Sequence, residues 1–306
     1  MIRAGSRLER ILHSGVFAVT AEVVPPRSAD PGPIIDQSRA LVGYADAANV
    51  TDNPAGTAHM TPVAGCAFVA EAGLEPIVQV TCRDRNRLGL TADLLGSWAL
   101  GARNVLSLSG DPASARDHPD AVVVNDLDVL GLIRLATGLR DEGRGLAGQA
   151  FEPPPRFFVG VAELPLAPRY DPARLERKAD AGADFVQTQI VYDVDAFGEW
   201  AERLAPRGIF ERMFVLAGVA PPRSPASARY VREHLPGVVV PDRIVEALEA
   251  AGPDAAEVGV SLTVEIVAGL KAIQGIAGVH VMGLGKEESV RRVIEAAGLL
   301  PRPTVV

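Results

Sequence analysis

Glu22 is the residue in this chain whose setting most needs a chemical explanation. It interrupts the apolar run VTAEVV at 19–24, where an ionised carboxylate is costly unless it opens onto a pocket or stays protonated. A carboxyl group kept protonated near neutral pH can act as a general acid. The other reading is a structural carboxylate paired with a nearby arginine. Asp111 follows Ser109-Gly110 in a turn. Glycine there lets backbone approach a ligand closely, and the aspartate can accept hydrogen bonds from the edge of a heterocycle, although an aspartate so placed is also a common helix cap. Gln189, within QTQIVYD at 187–193, carries donor and acceptor on one amide, which suits a planar heterocycle or an internal partner. Arg83-Asp84-Arg85-Asn86 offers two guanidinium groups for a phosphate or carboxylate, or a salt-bridged loop. His59 and His118 stand alone and are read as solvent-exposed.

These residues fall at the ends of short apolar runs. The runs cover residues 17–23, 47–51, 76–81, 104–108, 157–162, 185–190, 213–219 and 279–282. Each is nearly continuous in hydrophobicity, as strands buried on both faces of a parallel sheet are. Helix-like segments separate them. Residues 91–100 start with Thr91 as a cap, residues 126–139 space Leu127, Leu130, Ile133 and Leu139 along one face, and residues 174–181 lead to Gly182 as a C-terminal stop. Further helices are expected at 226–235 and 242–251, an extended seventh helical layer within 221–260. Residues 141–155, rich in Gly and Pro, read as a surface loop.

Eight strands alternating with helices predict an α/β fold, a (β/α)8 TIM barrel, with residues 1–306 as one domain and about 15–300 as the barrel proper. Pro25-Pro26 follows the first strand where a dinucleotide-binding sheet would carry GxGxxG, which argues against that alternative. Barrel enzymes place their chemistry at the C-terminal strand ends. Going round, the polar residues there are Glu22 with Arg27; Thr51, Asp52 and Asn53; Gln79 with Thr81 to Asp84; Ser109, Gly110 and Asp111; Glu163; Gln187, Thr188, Gln189 and Tyr192; and His280 with Lys286.

Composition narrows the partners. With 48% apolar residues the 306-residue chain can build a large core, and its net charge of −8 with dispersed basic residues argues against nucleic acid. Cys66 and Cys82 are too few for a disulfide scaffold, and no Cys/His cluster points to a metal. No run of about 18 apolar residues or secretory leader is seen, so no membrane contact is expected and the chain reads as cytoplasmic.

Six segments, AEVVPPR (21–27), VTDNPAG (50–56), VTCRDRN (80–86), SLSGDPA (107–113), LERKADAGADFVQTQIVYD (175–193) and LAGVAPPRS (216–224), together resemble the methylenetetrahydrofolate reductase family. The likeness is to its bacterial branch of acetogen-type enzymes and reductase halves of fused homocysteine methyltransferase proteins. It runs in order over about residues 17–301. The resemblance implies reduction of 5,10-methylenetetrahydrofolate to 5-methyltetrahydrofolate, in one-carbon metabolism and methionine biosynthesis, with NADH or NADPH as donor and FAD as bound flavin (FMN or no flavin being the alternatives). By position it makes Glu22 the general acid and Asp111 a catalytic contact to pterin and flavin. It makes Gln189 the residue that orients folate and nicotinamide. Lys178 would lie near the flavin ribityl or phosphate, with Thr51, Gln79, Ser109 and Gly110 at or near flavin contacts. Four places differ from the family's flavoprotein pattern: Gln79 replaces a histidine, Ser109 an arginine, Asp52 a tyrosine, and the loop ELPLAPRY lacks a His-Pro pair. The competing expectations are a flavin-free or partner-dependent reductase and a non-catalytic folate-binding subunit of a one-carbon complex. A homo-oligomer is an open expectation.

Overall fold

The computed structural model describes residues 2–111, 117, 118 and 120–305. Pro112 and Ala113, the end of the SLSGDPA segment, lie outside the described residues. Eight parallel strands, β1 (Ala18–Val23), β2 (Ala47–Val50), β3 (Pro76–Thr81), β4 (Asn104–Leu108), β5 (Phe158–Glu163), β6 (Phe185–Ile190), β7 (Phe214–Val219) and β8 (Ile276–Val281), close into a barrel in sequence order. The fold is a (β/α)8 barrel. Around it run α1 (Arg7–His13), α2 (Gly32–Leu41), α3 (Pro62–Glu71), α4 (Arg87–Ala99), α5 (Val129–Glu142), α6 (Ala173–Asp180), α7 (Val194–Leu204), α8 (Pro225–His234), α9 (Asp242–Ala251), α10 (Ala255–Ala272) and α11 (Glu287–Ala296).

Period two along each strand sorts side chains into outside and inside sets. Val19, Ala21, Val23, Val50, Val78, Val80, Val105, Val159, Val161 and Val186 belong to the core shared with the helices. The inward set is layered, as barrel interiors are. The floor packs Ala18, Ala47, Ile77, Leu106, Phe158, Phe185 and Leu216 against Leu8, Ile11 and Leu12 of α1, which closes the N-terminal end. Above it lies a polar tier. The Gln187 amide donates to Thr20 Oγ1 at 3.1 Å and exchanges two bonds with the Asn49 amide at 2.7 and 3.2 Å, and Thr20 Oγ1 meets His280 Nδ1 at 3.0 Å. Mutual hydrogen bonding is what makes four buried polar groups tolerable here. Burial pushes the His280 imidazole down to about 4, so the ring is neutral.

Two carboxylates pin the strand entrances at the N-terminal end in the same way. Asp46 accepts from Val19 N at 2.8 Å while its own N–H bonds Val19 O at 2.7 Å; Asp184 repeats both bonds with Val159 at 2.8 and 2.7 Å. Asp46 pairs with Arg302, and Asp184 with Arg140.

The helix boundaries correct several expectations. Asn86, not Thr91, caps α4, accepting from Gly89 N at 3.0 Å; Thr91 sits inside the helix and its hydroxyl bonds Arg87 O at 2.7 Å. α5 starts at Val129 rather than 126, capped by Asp128, and runs on to Glu142 rather than 139, ending at Gly143 with φ +66°. The 141–155 loop therefore begins two residues later and holds a small antiparallel bridge between Arg144 and Ala150. Gly182, at φ +94°, does follow α6. The last strand starts at Ile276 rather than 279, and the seventh layer also holds the 18-residue α10, which begins at Ala255 and runs past the expected limit at 260.

Candidate active site

The C-terminal ends of the strands form the open mouth. Glu22, two residues beyond the inward Thr20, therefore faces the interior and is partly exposed there. Among the described residues no side chain is bonded to it. Burial, with a smaller push from the charge of Asp111, raises its carboxyl from an ordinary value of 4.5 to about 7. Thr51 stands two residues past the inward Asn49; it is 4% exposed, and its hydroxyl has no hydrogen-bond partner among the described residues. Gln79 is buried on β3 with no side-chain bond among those residues, in register with Leu106. Gln189 lies where β6 shifts register against β7, partly exposed, its Oε1 accepting from Ile190 N at 2.9 Å.

Ser109 and Asp111 are exposed at the rim, with Gly110 half-buried between them. Gly110 adopts φ +90°, and a Cβ there would stand 2.8 Å from Arg83 Cβ, so the turn needs glycine to fit beside Arg83. Asp111 bonds to a neighbouring loop. Its carboxylate crosses to the loop after β2 and accepts from Ala55 N at 3.0 Å, a residue held at φ +53°. Asp117 does likewise with Ala58 N at 3.0 Å and pairs with Arg27 at 2.8 Å. The loops after β2 and β4 are thus tied together over one side of the mouth. Between them and the loop after β3 lies a cavity of about 220 Å³ bordered by Asn53, Thr57, Arg83, Asp84 and His118.

The arginines described on this side, Arg27, Arg83 and Arg85, are engaged with carboxylates. Arg83 makes a bidentate pair with Asp84 at 2.6 and 2.7 Å and reaches Asn53 O at 3.2 Å; hydrogen bonding to Arg83 holds the Asp84 carboxyl below its usual range. Arg85 pairs with Asp93 at 2.8 Å and with buried Asp52, which also accepts from Thr81 N and Oγ1. Of the two readings of the 83–86 cluster, the salt-bridged loop is the one observed. Lys178 is not at the mouth surface: it is 6% exposed, behind β5, and bonded to Glu163.

His118 is exposed as expected, but His59 is half-buried against Thr57 O at 2.9 Å. Gln187 and His280, expected at strand ends, belong to the tier beneath the mouth, joined there by Thr20 and Asn49, which sequence reasoning passed over. Their signal was present as polar residues at inward register in apolar strands. Among the described residues no group of His, Cys, Asp and Glu is arranged to hold a metal ion, Cys66 and Cys82 are buried free thiols, and no helix is long and apolar enough to cross a membrane.

Residues 7–298 match the family described as methylenetetrahydrofolate reductase. The chain belongs to the methylenetetrahydrofolate reductase family. Among relatives of this family, methylenetetrahydrofolate reductase 1 of Schizosaccharomyces pombe is 28% identical over 267 residues, 82% of this chain but 40% of its own length. The chain thus spans about two fifths of that relative. The 5,10-methylenetetrahydrofolate reductase of Salmonella typhimurium is 23% identical, over 75% of this chain and 72% of its own. A Clostridium thermocellum protein that binds two copies of 5-methyl-5,6,7,8-tetrahydrofolic acid shares the fold, with a TM-score of 0.66 at 13% identity over 95% of this chain and 98% of that one. In this methylenetetrahydrofolate reductase family member the mouth assembles Glu22, Thr51, Gln79, Asp111 and Gln189, and leaves Lys178 behind its wall.

Proposed function

We propose that this chain reduces 5,10-methylenetetrahydrofolate to 5-methyltetrahydrofolate, taking the hydride from NADH or NADPH, and that residues 1–306 act as one barrel domain. The observation that carries the reading is Glu22 at the barrel mouth, without a bonded partner among the described residues and with its carboxyl pushed up to about 7. A carboxylic acid with that value can protonate the bridging nitrogen of the methylene group near neutral pH. The carbon–nitrogen bond to that nitrogen breaks, leaving an iminium carbon that accepts hydride and becomes the methyl group. Gln189 and Asp111 bind and orient the pterin edge, Asp111 adding negative charge that keeps the Glu22 proton in place. The neighbouring fold that binds 5-methyl-5,6,7,8-tetrahydrofolic acid supports a folate ligand.

A bound flavin, FAD in the leading reading, would supply a hydride relay between nicotinamide and folate. The mouth suits its planar ring. The Thr51 hydroxyl and the Gln79 amide, both without a partner among the described residues, and the Ser109-Gly110 turn offer polar contacts of that kind. The phosphate-binding part is less well provided for, since Arg83, Arg85 and Lys178 are all bound to carboxylates of the chain itself. The replacement of the flavoprotein pattern's histidine and arginine by Gln79 and Ser109 favours a second reading, direct hydride transfer from nicotinamide to folate.

An absorbance spectrum of the purified protein between about 300 and 550 nm, followed by NADH, separates the two. Flavin bands that bleach with NADH support the relay. A colourless protein that still oxidises NADH only when methylenetetrahydrofolate is present supports direct transfer. No folate reduction with either nicotinamide, with and without added FAD or FMN, overturns the function.

A further inference from the structure

Lys178 lies on α6 behind the wall of the mouth. A buried ammonium is costly unless its charge and its protons are met. Lys178 Nζ donates to Glu163 Oε2 at 2.9 Å and to the carbonyl of Ala162 at 2.6 Å, while Glu163 Oε1 accepts from Leu164 N at 3.1 Å. The two side chains are 8% and 1% exposed. Burial lowers the lysine's affinity for its proton, and Glu163 opposes that.

The carboxylate and ammonium together fasten three consecutive residues as the chain leaves β5. The first, Ala162, is part-exposed on the inward face, in register with Gln187, and Glu163 is in register with Thr188. Gln189 is the next residue of β6. The pair therefore fixes the stretch of wall beside the glutamine proposed to orient the substrate. It also removes Lys178 as a phosphate ligand, because a phosphate near that nitrogen would meet the Glu163 charge as well.

We propose that Lys178 is a positioning residue for the folate side of the mouth and makes no contact with flavin or nicotinamide cofactor. The folate part rests on the function proposed above; the cofactor part does not.

The test compares Lys178→Met, which strands Glu163, with Lys178→Met/Glu163→Leu, which removes both charges. Lys178→Gln/Glu163→Gln serves as a second pair that keeps a hydrogen bond. The single variant is expected to lose melting temperature or fail to fold, and the double variants to regain most of that loss. In a folded double variant the dissociation constants for NADH and FAD stay within about threefold of the wild type. Its folate KM rises about fivefold with kcat changed less than about twofold. A double variant with restored melting but NADH or FAD affinity down about tenfold overturns the proposal, because Lys178 then touches the cofactor. An unchanged folate KM overturns the positioning role. If the wild type neither binds nor reduces folate, the function reading fails, and the cofactor affinities still decide whether Lys178 is a contact.

Discussion

Glu22 couples catalysis to stability through one proton. Its carboxyl is raised from 4.5 to about 7 by burial, so the folded chain holds that proton more tightly than the unfolded chain. Stability from this group is fully present below about 4.5 and is lost as pH rises through about 7. Glu22→Gln, neutral at every pH, should therefore melt higher than the wild type at pH 8, by on the order of 1–3 kcal/mol, and match it at pH 5. The same substitution should abolish folate reduction while leaving NADH oxidation by an artificial acceptor largely intact, and wild-type folate reduction should fall above about pH 7. Equal loss of both activities, or a flat pH profile, would remove Glu22 as the acid. This residue was legible in the sequence because a carboxylate inside VTAEVV contradicts its surroundings. Asp111 was half legible: its turn was evident, but its bond to Ala55 N joins loops 56 residues apart, and no local pattern announces such a tie. The Lys178–Glu163 pair was hidden for the same reason, since a list of charges does not say which of them meet.

Strands were the readable elements. Runs buried on both faces stand out as unbroken hydrophobicity, and β3, β4 and β6 have the expected limits. Helix starts were harder, because Asn86 and Thr91, or Asp126 and Asp128, are chemically equal candidates until one of them meets a free N–H. The glycines inside strands carried a message of packing. Gly160 lies under the Phe185 ring, which stacks on Phe158 at a centroid distance of 5.0 Å, and a Cβ at 160 would overlap that ring. Gly160→Ala should destabilise the barrel by about 2 kcal/mol in denaturant unfolding, as overpacking of a filled layer does. Unchanged stability would mean that the floor can shift to accept a methyl group. Gly218 answers to a different demand: a Cβ there would overlap the Thr188 carbonyl, where β6 carries its register shift beside Gln189.

At the scale of the molecule, the two matched aspartates at the strand entrances have a consequence for how the barrel comes apart. Asp46 belongs to the first four β/α units, yet its buried partner Arg302 comes from the chain's last residues. Asp184 belongs to the last four, and its partner Arg140 lies on α5, which closes the first four. Asp184 has both its arginine partners, Arg140 and Arg3, in the other half, while Asp46 keeps only the longer contact to Arg7 within its own half beside its close pair with Arg302, so either half folded alone would lose the close partner of its entrance acid. Neither should exist as a separately stable unit, so loss in one is felt in both. The two tryptophans divide the labour of testing this, Trp98 on α4 in the first half and Trp200 on α7 in the second. In Trp98→Phe and Trp200→Phe backgrounds, Arg302→Met should cost about 3 kcal/mol and lower the unfolding midpoint seen by each remaining tryptophan equally. Midpoints that separate would describe two independent halves; midpoints that move together describe a ring in which each half holds the other shut.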